Sequence, residues 1–174
     1  MSQYISRMSV NSCSKRLIMA AMLVLSPLTC FAALKPDTPG EICGVLKDTH
    51  LRAGGWEKIQ DDIEGCSSAR RPLSSNSIGS ARISFVAKGT AGAATQVSLV
   101  ITAIADQDKD AASRELIRAA KRLSVRVLGV SMPQSMIGAI TKRMPMHLPA
   151  GSGTIVLMTN TAGDKLYEMT LVME

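Results

Sequence analysis

Hydrophobic and polar positions alternate most cleanly in two stretches near the middle of the chain. Over residues 81–87, Ile83, Phe85 and Ala87 oppose Arg82, Ser84 and Val86, and over 96–105 Val97, Leu99, Ile101 and Ala103 share one side. A period of two marks a half-buried strand, so both stretches are predicted strands. Gly89-Thr90-Ala91-Gly92-Ala93 joins them as a hairpin loop. The period then changes. From 109 to 128, Ala112, Leu116, Ala119, Ala120, Leu123 and Val127 recur at helical spacing, with Arg114, Arg118, Lys121, Arg122 and Arg126 between them. That pattern predicts a helix with one packed face and one basic face. Gly129 ends it, and Ser131-Met132-Pro133 begins a second helix running through Met136, Ile137 and Ile140 to Arg143. Pro145 and Pro149 predict an extended, exposed connection. Alternation returns with Thr154, Val156 and Met158 in 153–159 and with Tyr167, Met169, Leu171 and Met173 in 166–173. These read as two strands around Asn160-Thr161-Ala162-Gly163-Asp164, which has hairpin chemistry.

The earlier part of the chain is less regular. Thr38-Pro39-Gly40-Glu41 is a helix start with a mechanism: Thr38 caps a backbone amide, Glu41 reaches back, and proline suits the first helical position. Ile42, Cys43, Val45 and Leu46 form the buried side of a helix expected to end near Thr49, and Gly54-Gly55 breaks the short segment after it. Residues 56–63 show no clean period and fit a strand or a turn of helix. Residues 66–79, rich in Ser and Arg and holding Pro72, read as an exposed loop or edge strand.

The resulting order, α-β-β-β-α-α-β-β, predicts an α+β domain over 38–174, preceded by a lead-in at 33–37. Its largely antiparallel sheet has about five strands with helices on one face. No internal repeat is present. This order resembles the small sheet-and-helix domains of type III secretion chaperones, and the resemblance implies binding of extended segments of partner proteins. It is architectural, rests on no motif and carries over no functional residue.

Ahead of this domain, Lys15 and Arg16 close a leader without acids, an apolar run fills 17–25, and Ser26-Pro27 breaks it. Cys30-Phe31-Ala32 places small residues three positions and one position before a cut, so residues 1–32 are expected to be a signal peptide cleaved ahead of Ala33. An uncleaved anchor would need about 20 apolar residues, and 17–34 supplies 18 with a proline inside. Membrane contact is expected only if the signal is retained. A lipid-modified Cys30 would need a small residue that Pro27-Leu28-Thr29 lacks, and only one arginine is present where a twin-arginine signal needs two. The expected location is periplasmic or secreted.

Removing the leader changes the remaining chemistry. It takes three of the 20 basic residues and none of the 14 acids, so a whole-chain charge of +6 becomes +3. With only Trp56, Phe85 and Tyr167 as aromatics, no nucleic-acid partner is expected. Two of the four cysteines also go, and the remaining Cys43 and Cys66 are expected to form one disulfide in an oxidising compartment. Their spacing is nothing like a CxxC redox or metal pair.

No catalytic site is expected. His50 and His147 sit in no nucleophile or metal motif, and Cys66-Ser67-Ser68 lacks the Gly-x-Ser-x-Gly elbow. The glycines of the 89–93 loop lack the lysine of a phosphate loop, and Asp106-Gln107-Asp108-Lys109-Asp110 lacks the glycine and distant glutamate of a calcium loop. No cofactor is expected. The leading expectation is a non-enzymatic protein-binding module whose partner contacts a sheet face, an edge strand, or the basic surface of Arg114, Arg118, Lys121, Arg122 and Arg126. The alternative is a periplasmic inhibitor or immunity protein against a toxin or hydrolase, presenting the 66–79 loop with Arg70 and Arg71. A third idea is a copper site from Met132, Met136, Met144, Met146 and His147, whose thioethers and imidazole suit Cu(I). Against it, flexible methionines also fill cores.

Overall fold

Eleven elements are seen in the computed structural model, which describes residues 34–73, 81–103, 108–162 and 166–174. A short helix α1 (Pro39–Cys43) precedes β1 (Glu57–Gln60), β2 (Ile63–Ser67), β3 (Arg71–Pro72), β4 (Arg82–Thr90) and β5 (Ala93–Ala103). Two helices come next, α2 (Lys109–Leu128) and α3 (Gln134–Lys142), and the chain ends in β6 (Met146–Ala150), β7 (Gly153–Ala162) and β8 (Leu166–Met173). The apolar leader, the expected cleavage point, the Asp106-Gln107 pair and the Gly163-Asp164 end of the last hairpin lie outside the described residues.

The α+β class is as expected, but the sheet has eight strands instead of about five, and its order along the chain becomes α-β-β-β-β-β-α-α-β-β-β. All pairings are antiparallel, in the lateral order β1-β2-β4-β5-β8-β7-β6, with β3 paired to the start of β4. The extra strands come from segments without a clear period. Residues 56–63 turn out to be β1 and the start of β2. The 66–79 loop begins inside β2, where Cys66 is buried, and contributes β3; its residues 74–79 lie outside the described set. The proline-bounded connection is itself extended and becomes β6, an edge strand where the missing N–H of Pro149 costs no central ladder bond.

Alternation puts Ile83, Phe85 and Ala87 of β4, Val97, Leu99, Ile101 and Ala103 of β5, and Tyr167, Met169, Leu171 and Met173 of β8 on one buried face. In β7 the buried pair is Ile155 and Leu157, so Thr154, Val156 and Met158 occupy the opposite face. Against the buried face pack Ala112, Leu116, Ala120, Leu123 and Val127 of α2 and Met136 and Ile140 of α3, making one continuous core. The β4–β5 turn is tighter than the five-residue loop expected. Ala91 and Gly92 have φ of 51° and 74°, the positive values that a two-residue hairpin of this twist needs. At the bulge beside Lys88, a Cβ on Gly89 would lie 1.8 Å from the Ala93 carbonyl oxygen, so only glycine fits there.

The N-terminal helix is shorter than the sequence suggests. After Cys43 the bonds from Val45 to Ile42, Lys47 to Gly44 and Thr49 to Leu46 each span three residues, which makes successive tight turns. Gly40 and Gly44 favour helix poorly. Thr38 does not cap the backbone; its hydroxyl donates to the Glu41 carboxylate at 2.6 Å. Cys43 and Cys66 do form the disulfide, with Cα atoms 6.0 Å apart, tying α1 to β2.

Candidate functional site

Helical spacing on α2 sets the site. Glu115, Arg118, Arg122 and Arg126 fall three or four residues apart, so they form one stripe beside the buried face, with Ala119 at its margin. The stripe faces the turns after α1, and the disulfide holds those turns in place. Arg126 grips the carboxylate of Asp48 with both terminal nitrogens, at 2.6 and 2.7 Å, and donates to the Val45 carbonyl at 2.5 Å. This bidentate clasp holds the Asp48 carboxyl near a pKa of about 2, below its ordinary 3.8.

The clasp has a pH consequence. Because the folded value is depressed, its stabilisation is complete above the ordinary carboxylate range and is lost as the pH falls from about 4 toward 2. Acid titrations of unfolding should therefore show the stability difference between the wild type and Asp48→Asn holding steady at neutral pH and shrinking across that window.

One turn before the clasp, a cleft of about 540 Å³ opens between the turns at 48–51, β3, the start of β4, and α2. Arg71, Arg118 and Arg122 line it with His50, Asp48 and Glu115, over a floor that includes Leu51, Ile83 and Ala119. Both acids in the wall are engaged, Asp48 by Arg126 and Glu115 by Arg118. Arg71 donates to the His50 carbonyl at 3.3 Å, and Arg122 has no side-chain hydrogen bond among the described residues. The arrangement is a shallow pocket with cationic donors on two walls and apolar groups beneath, suited to a carboxylate or another anion.

The fold thus brings together three of the sequence-selected arginines and separates the rest. Arg114 and Lys121 point away along another line of α2, and Lys121 borders a smaller hollow of about 300 Å³ with Val125 and Ile137. Arg70 is exposed and does not line the cleft. The five-residue copper cluster does not converge. Met132 and Met136 are buried in the core, Met144 is exposed, and Met146 and His147 are neighbours on a strand, so their side chains leave opposite faces. Asp48 and His50 were not legible as cleft residues, because their proximity to α2 arises only through the fold.

Buried polar groups elsewhere have ordinary roles. The Ser68 hydroxyl accepts from the Phe85 N–H at 2.9 Å, and the Ser113 and Ser124 hydroxyls donate to the carbonyls of Lys109 and Val130. Burial pushes the Tyr167 phenol up to about 12, with Lys109 5.6 Å above its ring. The Tyr167 hydroxyl has no partner among the described residues. No group of three or more His, Cys, Asp or Glu able to hold a metal occurs among the described residues, and no described helix is long and apolar enough to cross a membrane. No family model, curated protein or solved structure matches this chain.

Proposed function

We propose that this chain is an exported, non-enzymatic binding module that takes an acidic segment of a partner protein into the arginine-lined cleft. The observation that carries this is the convergence of Arg71, Arg118 and Arg122 from two distant parts of the chain on one pocket whose acids are already engaged. Planar guanidinium groups pair bidentately with carboxylates, and the apolar floor accepts the aliphatic part of the same side chain. The Cys43–Cys66 disulfide suits the oxidising compartment that an exported protein reaches. An inhibitor acting on an acidic enzyme surface would use the same pocket, since Arg71 opens into it.

Fluorescence anisotropy with peptides rich in Asp and Glu tests the reading directly. Binding should weaken with added salt, and Arg118→Ala with Arg122→Ala should weaken it about tenfold or more while leaving the Arg126 clasp intact. Equal affinity for peptides carrying Asn and Gln in place of the acids would sink it.

A further inference from the structure

The face of the sheet opposite the helices has a composition that solvent alone does not explain. Its side chains fall into four rows across β4, β5 and β8, fixed by the strand register. The outer row at one end is Arg82, Thr102 and Glu168. The two middle rows are Ser84, Val100, Thr170 and Val86, Ser98, Val172, of which Ser84 and Val172 are already buried by their neighbours and the other four are half-buried. At the other end Lys88 stands opposite Gln96, and Gln96 donates to the Glu174 carboxylate at 3.1 Å. The middle of the face is therefore small, β-branched or hydroxylic and uncharged, and the charges are confined to its ends. A face left wholly to water reads polar throughout, whereas Val86, Val100 and Val172 stand in the middle of this one.

The charges are also sorted by strand. Both cations stand on β4 and both anions on or just after β8, with β5 as the line between them. Reflecting the rows across β5 matches cation to anion, serine to threonine, valine to valine, and cation to anion again. That symmetry is the condition for an isologous contact, in which one patch is complementary to itself.

We propose that two copies of this chain associate face to face through this surface, about a two-fold axis running parallel to β5. Rotation about that axis lays β5 on β5 and places β4 of each copy over β8 of the other. Arg82 then meets Glu168 of the second copy and Lys88 meets its Glu174, each twice, while half-buried Val86 lies over the row that holds Val172. Stacked sheets lie about 10 Å apart, and an axis parallel to β5 keeps the two β5 strands parallel to each other. The small central rows allow that close approach, and the longer charged side chains at the ends reach across to their partners. The contact is independent of the arginine-lined cleft, which lies on the helix side of the sheet.

Two charge-swapped forms of the full chain test this, one carrying Arg82→Glu and Lys88→Glu, the other Glu168→Arg and Glu174→Lys. In a symmetric pair either swap alone sets like charges against each other, but a mixed pair restores every match. In sedimentation equilibrium the wild type should show twice the chain mass, each swapped form the single mass, and their equimolar mixture the doubled mass again. A wild type that stays monomeric throughout overturns the proposal and leaves the face to a different protein partner. Dimers that survive either swap alone, or a mixture that stays monomeric, overturn it as well. Should a swapped form lose the wild-type circular dichroism, the single changes Arg82→Glu and Glu168→Arg are mixed in the same way and read by the same outcomes.

Discussion

Phe85→Ala is expected to lower stability by about 4 kcal/mol, near the upper part of the range for large buried side chains. Phe85 has no exposure, sits in mid-strand opposite Leu99, and is the largest side chain of the fully buried set. What raises the cost is that its backbone cannot move into the space left behind. The Phe85 N–H is held by the Ser68 hydroxyl, and its carbonyl accepts from the Ser68 N–H at 2.9 Å, on top of the β4–β5 ladder. The cavity stays open, so the lost contacts are not regained by collapse. Val125→Ala, at 53% exposure on the outer side of α2, should fall within about 0.5 kcal/mol of wild type. Urea unfolding of both variants checks the pair, and a loss below about 1 kcal/mol at Phe85 would show that the site relaxes.

Removing the disulfide through Cys43→Ala with Cys66→Ala should cost about 3 kcal/mol, the chain-entropy value for a loop of 23 residues. Alanine is the suitable replacement because both positions are buried among apolar neighbours, where serine would add an unpaired hydroxyl. The loss should fall unevenly over the molecule. The segment from α1 to Leu51 rests on little regular secondary structure and depends on Cys43, the Arg126 clasp, and the burial of Ile42 and Leu46. Hydrogen exchange in the double variant should therefore rise first at residues 42–49, ahead of the β4–β5–β8 centre. Uniform loss of protection would mean that the two regions unfold as one unit.

The clearest parts of the fold in the sequence were those in which local period and final burial agree. The β4–β5 hairpin, α2 and β8 buried the residues that the period selects, and α3 buried Met136 and Ile140 with Ile137 half-buried, because each has one face on the core and one away from it. Residues 56–63 were ambiguous for the opposite reason. All four residues of β1 are exposed, and an edge strand with no buried face writes no alternation. At β6, Pro145 just before the strand and Pro149 within it made an extended strand look like a connection; only the pairing with β7, invisible locally, makes it part of the sheet. The basic surface of α2 was legible, but its division was not. Arg126 turns to Asp48 across 78 residues of sequence, and Arg118 and Arg122 gain their meaning from Arg71 on a two-residue strand.

The margins of the sheet have a consequence of their own. A long bare strand edge is a template for adding further chains without limit, which is hazardous in any crowded compartment. Here the margins are short strands carrying features that discourage addition: β1 holds Glu57, Lys58 and an irregular register, β3 ends at Pro72, and β6 carries Pro149. Among the described residues, the longest unguarded margin is 158–162, the part of β7 that runs past the end of β6. Growth by edge addition is thereby restricted to a short stub of strand, which disfavours the polymerisation that wide sheets invite.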